Sequence, residues 1–392
     1  MIEKRFFFAF CLMLSVFVFE SAAVAQQGNR KRGPRKNPGA AKLAKPFVGI
    51  TADGKLVKDL FKIESTGVST KPVVTAAEAF LAGLTPEQRE KTTFPVDDIE
   101  WRQWDNRHFQ KRQGVSFKEM NEEQRKLAFG LLQASLSAKG LTLSQDIMKL
   151  NHTLGELCNK VDEYGQWLYW ITIMGEPSES EPWGWQIDGH HLDVNYFVLG
   201  DQVVMSPVFI GSEPVTAVGG KFEGTVVLQD EQNVALKFMQ SLNESQQSAA
   251  VLAKVKPGHN ALAQAYQDNM NLDFAGLKGS QLEDQQKEQL LELVRLYVGN
   301  MRTGHADVRM EEVKEHLDET WFAWVGDFQQ DSVFYYRIHS PVILIEFDHQ
   351  RRVAPHRTRE ATREHIHAVV RTPNGNDYGK DLLRQHIEKD HQ

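Results

Sequence analysis

The sequence predicts an α+β fold, with helical blocks packed around a mainly antiparallel sheet in a single large domain. Three observations carry that reading. Stretches with helical spacing and stretches rich in Trp, Tyr, Ile and Val come in blocks without regular alternation, which argues against a doubly wound parallel sheet. About 340 residues follow the basic N-terminal stretch, enough to bury one large core. The cysteines are Cys11 and Cys158, so no disulfide framework substitutes for that core.

At the N-terminus, Lys4 and Arg5 precede an apolar run over 6–19, and Ala23-Val24-Ala25 supplies the small residues of a cleavage site. Residues 1–25 read as a secretory signal peptide, too short in its apolar part for a confident membrane span, with an uncleaved anchor as the alternative. The mature chain is expected to be exported, periplasmic or extracellular. Residues 26–46 read as a disordered linker: 28–46 carries seven basic residues, no acidic ones, and repeated Pro and Gly. Such a segment suits contact with an anionic envelope surface. The whole chain has a net charge of −7, which leaves the domain over 47–392 distinctly acidic and argues against nucleic acid as a partner.

Within that domain, a helix is expected around 76–83, and Thr85-Pro86-Glu87 opens another helical turn. The segment "DDIEWRQWDNRHF", 97–109, is unusually aromatic and charged. Helical spacing over 119–138 and 142–163 predicts two helices joined at Gly140. Short runs from Tyr164 to Phe209 read as strands, with a hairpin at Leu199-Gly200-Asp201. Helices return over 229–257, over 280–300 with a Ser280…Glu283 capping pattern, and over 308–319. The last third reads as the strands of "WFAWVG", "VFYYRIHSPVILIEFDHQ" and "EHIHAVVR", then a terminal helix from Lys380.

Nine of the fourteen histidines lie after residue 300, and strand phasing decides which of them can converge. His365, His367 and Arg371 share one face of their strand. Glu346 lies on the face opposite Ile343, Ile345 and Phe347, while Arg337 and His339 share a side with Tyr335. If these strands are neighbours, one sheet face collects His339, Glu346, His365, His367 and two arginines. In "WGWQIDGHHLDVN", alternation separates His191 from His190 unless Gly189 permits a bulge. His191 is then the polar-pocket candidate and His190 the packed, supporting one. His191, Glu346, His365 and His367 together make a site of N and O donors for one divalent transition metal. Zinc is favoured, with iron, manganese or copper compatible.

Arg371 and Arg337 are candidates to clamp an anionic group of a small or oligomeric substrate, or equally to pair with Asp377 or Glu346. Asp377 is a candidate for catalysis or for capping the terminal helix. Trp183 and Trp185, two apart on one strand face, offer a stacking surface for sugar or peptide. His349, His356 and His391 sit in charged surroundings and read as solvated. The chain lacks a nucleophile elbow, a phosphate-binding Gly loop, a dinucleotide fingerprint, an HEXXH helix and a CXXC pair.

The ordered elements "WGWQIDGHHLDVNYFV", "SPVFIGSEP", "FAWVG", "YYRIHSPVILIEFD" and "HIHAVVRTPNGNDYGKDLLRQH" resemble a bacterial family catalogued as domain of unknown function 3500, from about residue 75 to the C-terminus. The resemblance points to His190, His191, Arg337, Glu346, His365, His367, Arg371, Asp377 and Tyr378 as site residues, and implies no reaction. One departure is visible: the turn Thr-Pro-Asn-Gly-Asn-Asp-Tyr is a residue longer than the family's form, which displaces Asp377. The expectation is an exported metal-dependent enzyme of hydrolytic type, with metal-bound water as nucleophile. The alternatives are a non-enzymatic sugar- or peptide-binding protein, an iron- or copper-dependent oxidoreductase, and a structural envelope protein.

Overall fold

A computed structural model describes residues 39–390. The expected signal segment, the basic stretch up to residue 38 and His391 lie outside the described residues. Residues 39–46, expected to belong to the linker, pack on the domain: Lys42 Nζ donates to Gln267 Oε1 at 2.8 Å, and Pro46 O accepts from Asn269 Nδ2 at 2.6 Å. None of the helices among the described residues is long and apolar enough to cross a membrane.

Twelve strands among the described residues form one sheet. The first six are β1 (Thr93–Phe94), β2 (Val115–Ser116), β3 (Tyr169–Met174), β4 (Trp183–Gly189), β5 (Leu192–Leu199) and β6 (Gln202–Ser212). The second six are β7 (Val251–Ala253), β8 (Leu277–Lys278), β9 (Trp321–Gly326), β10 (Phe334–His339), β11 (Leu344–Arg351) and β12 (Ala361–Arg371). Their spatial order is β1-β3-β4-β5-β6-β12-β11-β10-β9-β7, with β2 added to β3 and β8 to β9. The two sequence halves of the sheet therefore meet at one ladder, β6 against β12, which pairs Val208–Ser212 with Ile366–Val370. The β1–β3 and β7–β9 pairs are parallel and the rest are antiparallel, as short connections require for β4–β5, β5–β6 and β10–β11. The fold is α+β, as the block pattern predicts.

Side-chain alternation gives the sheet two different faces. Val208, Ile210, Ile345, Phe347, Ile366 and Ala368 point into the larger core, built with the helices Lys71–Ala82, Glu122–Ser135, Ala138–Cys158, Gln229–Ser241, Asp284–Val298 and Thr303–Glu315. Phe209, Leu344 and Val369 point the other way, under Ile50, Phe61, Trp101, Trp104, Leu272 and Leu382. Mostly irregular chain covers that second face, and all three histidines of the centre described below lie there.

Several element boundaries differ from the expected ones for local reasons. Gly140 lies in the first turn of the helix Ala138–Cys158, not between helices; Ser137 caps that turn, and a Cβ at Gly140 would sit 2.1 Å from Asn300 O. The expected helix over 229–257 breaks at Asn243, which opens a second helix, Glu244–Ala250, through a capping box with Gln246. The capping box of the helix Asp284–Val298 is Glu283 with Gln286, one turn later than the Ser280 pattern suggested.

Candidate metal centre

Pairing of Gly189 with Leu192 leaves His190 and His191 as the two residues of the β4–β5 turn. This corrects the strand-with-bulge reading of that segment. His191 takes φ +66°, the left-handed region that costs a non-glycine residue about 1 kcal/mol. Its backbone is held on both sides: its N–H donates to Asn106 O at 3.3 Å, and its carbonyl accepts from Gly211 N at 2.8 Å. The ring is thereby aimed across β6 toward β12.

There it meets both histidines of the HIH element. The Nε2 atoms lie 2.9 Å apart for His365 and His367, 3.2 Å for His367 and His191, and 3.3 Å for His365 and His191. Gly211 stands between β5 and β12 at this point. A Cβ on it would lie 3.2 Å from His367 Cδ2, 3.4 Å from His191 Cδ2 and 2.6 Å from Ile366 O, so the missing side chain lets the rings converge. All three histidines are buried.

A triangle of nitrogens with those sides has a circumscribed radius of about 1.8 Å, shorter than a zinc–nitrogen bond of roughly 2.0–2.1 Å, so the three residues fit one such ion. Three protein donors would leave a four-coordinate ion one position for water or substrate. The protein alone satisfies the triangle poorly. His365 Nδ1 lies 2.8 Å from Arg351 O and must donate to it, which leaves a lone pair on His365 Nε2. Three nitrogens so close cannot all find N–H partners in one another, whereas a cation accepts three lone pairs at once. Burial pushes the pKa of His365 down to about 4 and those of His191 and His367 well below the usual imidazole value, so all three are neutral donors at neutral pH.

Neighbours fix the ring orientations. His190 stacks under His191, with centroids 3.9 Å apart and planes at 23°, and its Nδ1 meets Asn151 Oδ1 at 2.7 Å. Glu213 Oε2 lies 3.5 Å from His365 Nδ1. The side-chain amide of Gln264 faces His367 Nδ1 through its Nε2, at 3.3 Å.

Glu346, expected as the fourth ligand, is not part of this cluster. The neighbour relation of β10, β11 and β12 does exist, and Glu346 sits opposite Arg337 and Val369 in the ladders. The histidines, however, reach the opposite way across β12. The Glu346 carboxylate instead accepts from Tyr335 Oη at 2.6 Å, from Leu262 N at 3.0 Å and from Ala263 N at 2.6 Å. Asp348 beside it takes Asn260 N at 2.6 Å and Ala261 N at 2.9 Å.

Arg371 completes this grip and is not an exposed anion clamp. It is fully buried, donating to Ala263 O at 3.0 Å and Gln264 O at 3.2 Å, and to Asp268 and Asp377 at 3.1 Å each. Glu346, Asp348 and Arg371 therefore hold the amides and carbonyls of residues 260–264, the loop that brings Gln264 to His367.

The remaining candidates are also engaged within the protein. Asp377 accepts from Thr372 N at 2.8 Å and from Ser206 Oγ, so the longer turn still leaves it bonded to its own strand and not capping the terminal helix. Asn376 takes that place, with its Oδ1 3.4 Å from Leu382 N. Tyr378 donates to Asp268 and accepts from Trp104 Nε1, both at 2.9 Å. Arg337 Nη2 donates to Asp273 O at 3.2 Å, and His339 packs on Phe274. Trp183 and Trp185 are fully buried, the latter stacked on Tyr196, and offer no surface for a ligand. His349 is not solvated: its Nδ1 accepts from Phe334 N at 2.9 Å and its Nε2 meets Gln232 Oε1 at 2.8 Å. His356 is exposed, as expected.

A cavity of about 410 Å³ opens at His367 between residues 39–42, Asn106-Arg107 and 261–267. Sequence patterning missed its walls, because these segments have no periodicity; the charged aromatic run over 97–109 was their one signal.

The family described as "Protein of unknown function (DUF3500)" matches residues 66–380, beginning somewhat before the position expected from the motifs. No curated protein and no solved structure matches the chain. The match spans most of the sequence and contains all three converging histidines, and the chain belongs to the DUF3500 family.

Proposed function

We propose that the protein is an exported metal-dependent enzyme of hydrolytic type, with one ion held by His191, His365 and His367. The observation that carries this is the triangle of buried, neutral Nε2 atoms 2.9–3.3 Å apart beside a cavity. An all-imidazole donor set with no carboxylate favours zinc or copper over manganese, and we take zinc. Bound there, the ion would supply a Lewis acid that brings the pKa of a coordinated water toward neutrality.

The protein's own groups set ligand geometry. Arg351 O holds the His365 tautomer, His190 backs the His191 ring, and Gln264 orients His367. Coordination through His367 Nε2 requires Nδ1–H, so Gln264 must then present its Oε1 to that proton. Export rests on Lys4, Arg5, the apolar run over 6–19 and Ala23-Val24-Ala25.

The test is elemental analysis of the mature chain purified without a His tag or chelator. The expected result is about one equivalent of zinc, lost in the His365→Ala/His367→Ala variant with the fold retained. Metal-free protein that takes up no added zinc or copper, or unchanged metal content in the double variant, refutes the assignment. N-terminal sequencing of the exported protein should begin near residue 26.

A further inference from the structure

We propose that the centre acts on an organic anion, with a carboxylate or phosphate group directed at the open metal position. This rests on the metal reading above and deepens it. Three neutral imidazoles leave the charge of a divalent ion uncompensated. Glu213, the carboxylate beside His365 Nδ1, lies behind that ring and accepts from Val353 N and Ala354 N at 2.8 and 3.1 Å. Glu346 and Asp348 are turned to the loop amides. A buried, uncompensated dication strongly favours an anionic ligand.

The cavity has the same preference. Its described lining includes the cations Lys42 and Arg107, the amides Asn106, Gln264 and Gln267, and no carboxylate. Arg107 is matched by Asp105, which takes its Nε at 2.7 Å and also its Nη2. Lys42, whose Nζ bonds the neutral Gln267, therefore contributes the net positive charge of the wall. The domain as a whole is acidic, so this local reversal of sign concentrates anions where the chain otherwise repels them. Leu262 and Ala265 give the cavity an apolar side, and about 410 Å³ suits a small organic molecule.

The experiment uses the full mature chain loaded with cobalt(II), whose visible spectrum reports the open position, with cobalt content measured on the same sample. Acetate and inorganic phosphate are titrated as anions, and imidazole as a neutral ligand for that position. The expected result is saturable spectral change with both anions. Lys42→Gln should weaken the anions about three- to tenfold without weakening imidazole, and Lys42→Arg should restore them. A cobalt-loaded protein that answers imidazole but neither anion overturns the inference and leaves the metal centre standing. Equal weakening of imidazole and anions in Lys42→Gln overturns it too, because Lys42 would then act through shape and not charge. Failure to take up cobalt removes the metal reading and this inference with it.

Discussion

Gly211→Ala probes the centre without replacing any of its three histidines. The added Cβ would meet Ile366 O at 2.6 Å, and Ile366 stands between His365 and His367 on β12. Ordinary contact requires that carbonyl to retreat by roughly 0.8 Å, and both flanking histidines move with it. The two Nε2 separations to His191, now 3.2 and 3.3 Å, then grow to about 4 Å, while the 2.9 Å separation within β12 stays fixed. The circumscribed radius rises from about 1.8 to about 2.2 Å, longer than a zinc–nitrogen bond. The three nitrogens would then stand too far apart to hold one zinc ion together. Zinc affinity should therefore fall by about ten- to a hundredfold, and stability by roughly 1–3 kcal/mol. Competition with a chromophoric chelator measures the first, and urea unfolding of the metal-free protein the second. Gly130→Ala is the control: a Cβ there meets nothing within 4 Å in the middle of the helix Glu122–Ser135, and should stabilise by about 0.5–1 kcal/mol. Folded Gly211→Ala protein that binds zinc within threefold of the parent would refute the packing argument.

Other consequences can be checked independently. Burial, followed by the nearby Arg337 charge, lowers the pKa of His339 to about 3, so the folded state needs its ring neutral. The unfolded chain binds that proton below about pH 6.5, so His339's contribution is intact above that pH and is lost at about 1.4 kcal/mol per unit as pH falls toward 3. In metal-free protein, His339→Gln should flatten the stability–pH slope below 6.5 by that amount; an unchanged slope would contradict the assignment. Arg371→Met leaves Asp377 buried without a cation, while Asp268 keeps Arg102, and should cost about 3–5 kcal/mol in urea unfolding. The same variant should expose residues 261–267 to limited proteolysis, and protection equal to the parent's would rule out the clamp on that loop.

Strand phasing made much of this centre legible. Alternation in "EHIHAVVR" puts His365 and His367 on one face, and the structure keeps them there, because a strand with one apolar face can hold only one register. The third histidine was reachable only as a candidate: His191 depends on a two-residue turn, and on β12 lying beside β6, a neighbour relation between distant segments that no local pattern encodes. Glu346 shows the reverse error. Its face was read correctly, but its partners are backbone amides of the loop around Leu262, which has no periodicity to announce its position. His349 misled in the same way, since charged neighbours in sequence hide partners, Phe334 N and Gln232, that come from other elements. The α+β class was the most secure inference because it rests on the order of blocks and needs no tertiary neighbour.

The ladder between β6 and β12 would give a bound ion a second consequence. Each half of the sheet can assemble largely from hairpins close in sequence, whereas the join between halves closes a chain separation of more than 150 residues. His191 belongs to the first half, and His365 and His367 to the second. An ion shared by them would rivet the seam, locking the least local ladder of the sheet only after both halves have formed. Metal supply would then decide when the chain counts as finished, before it decides whether the chain can act.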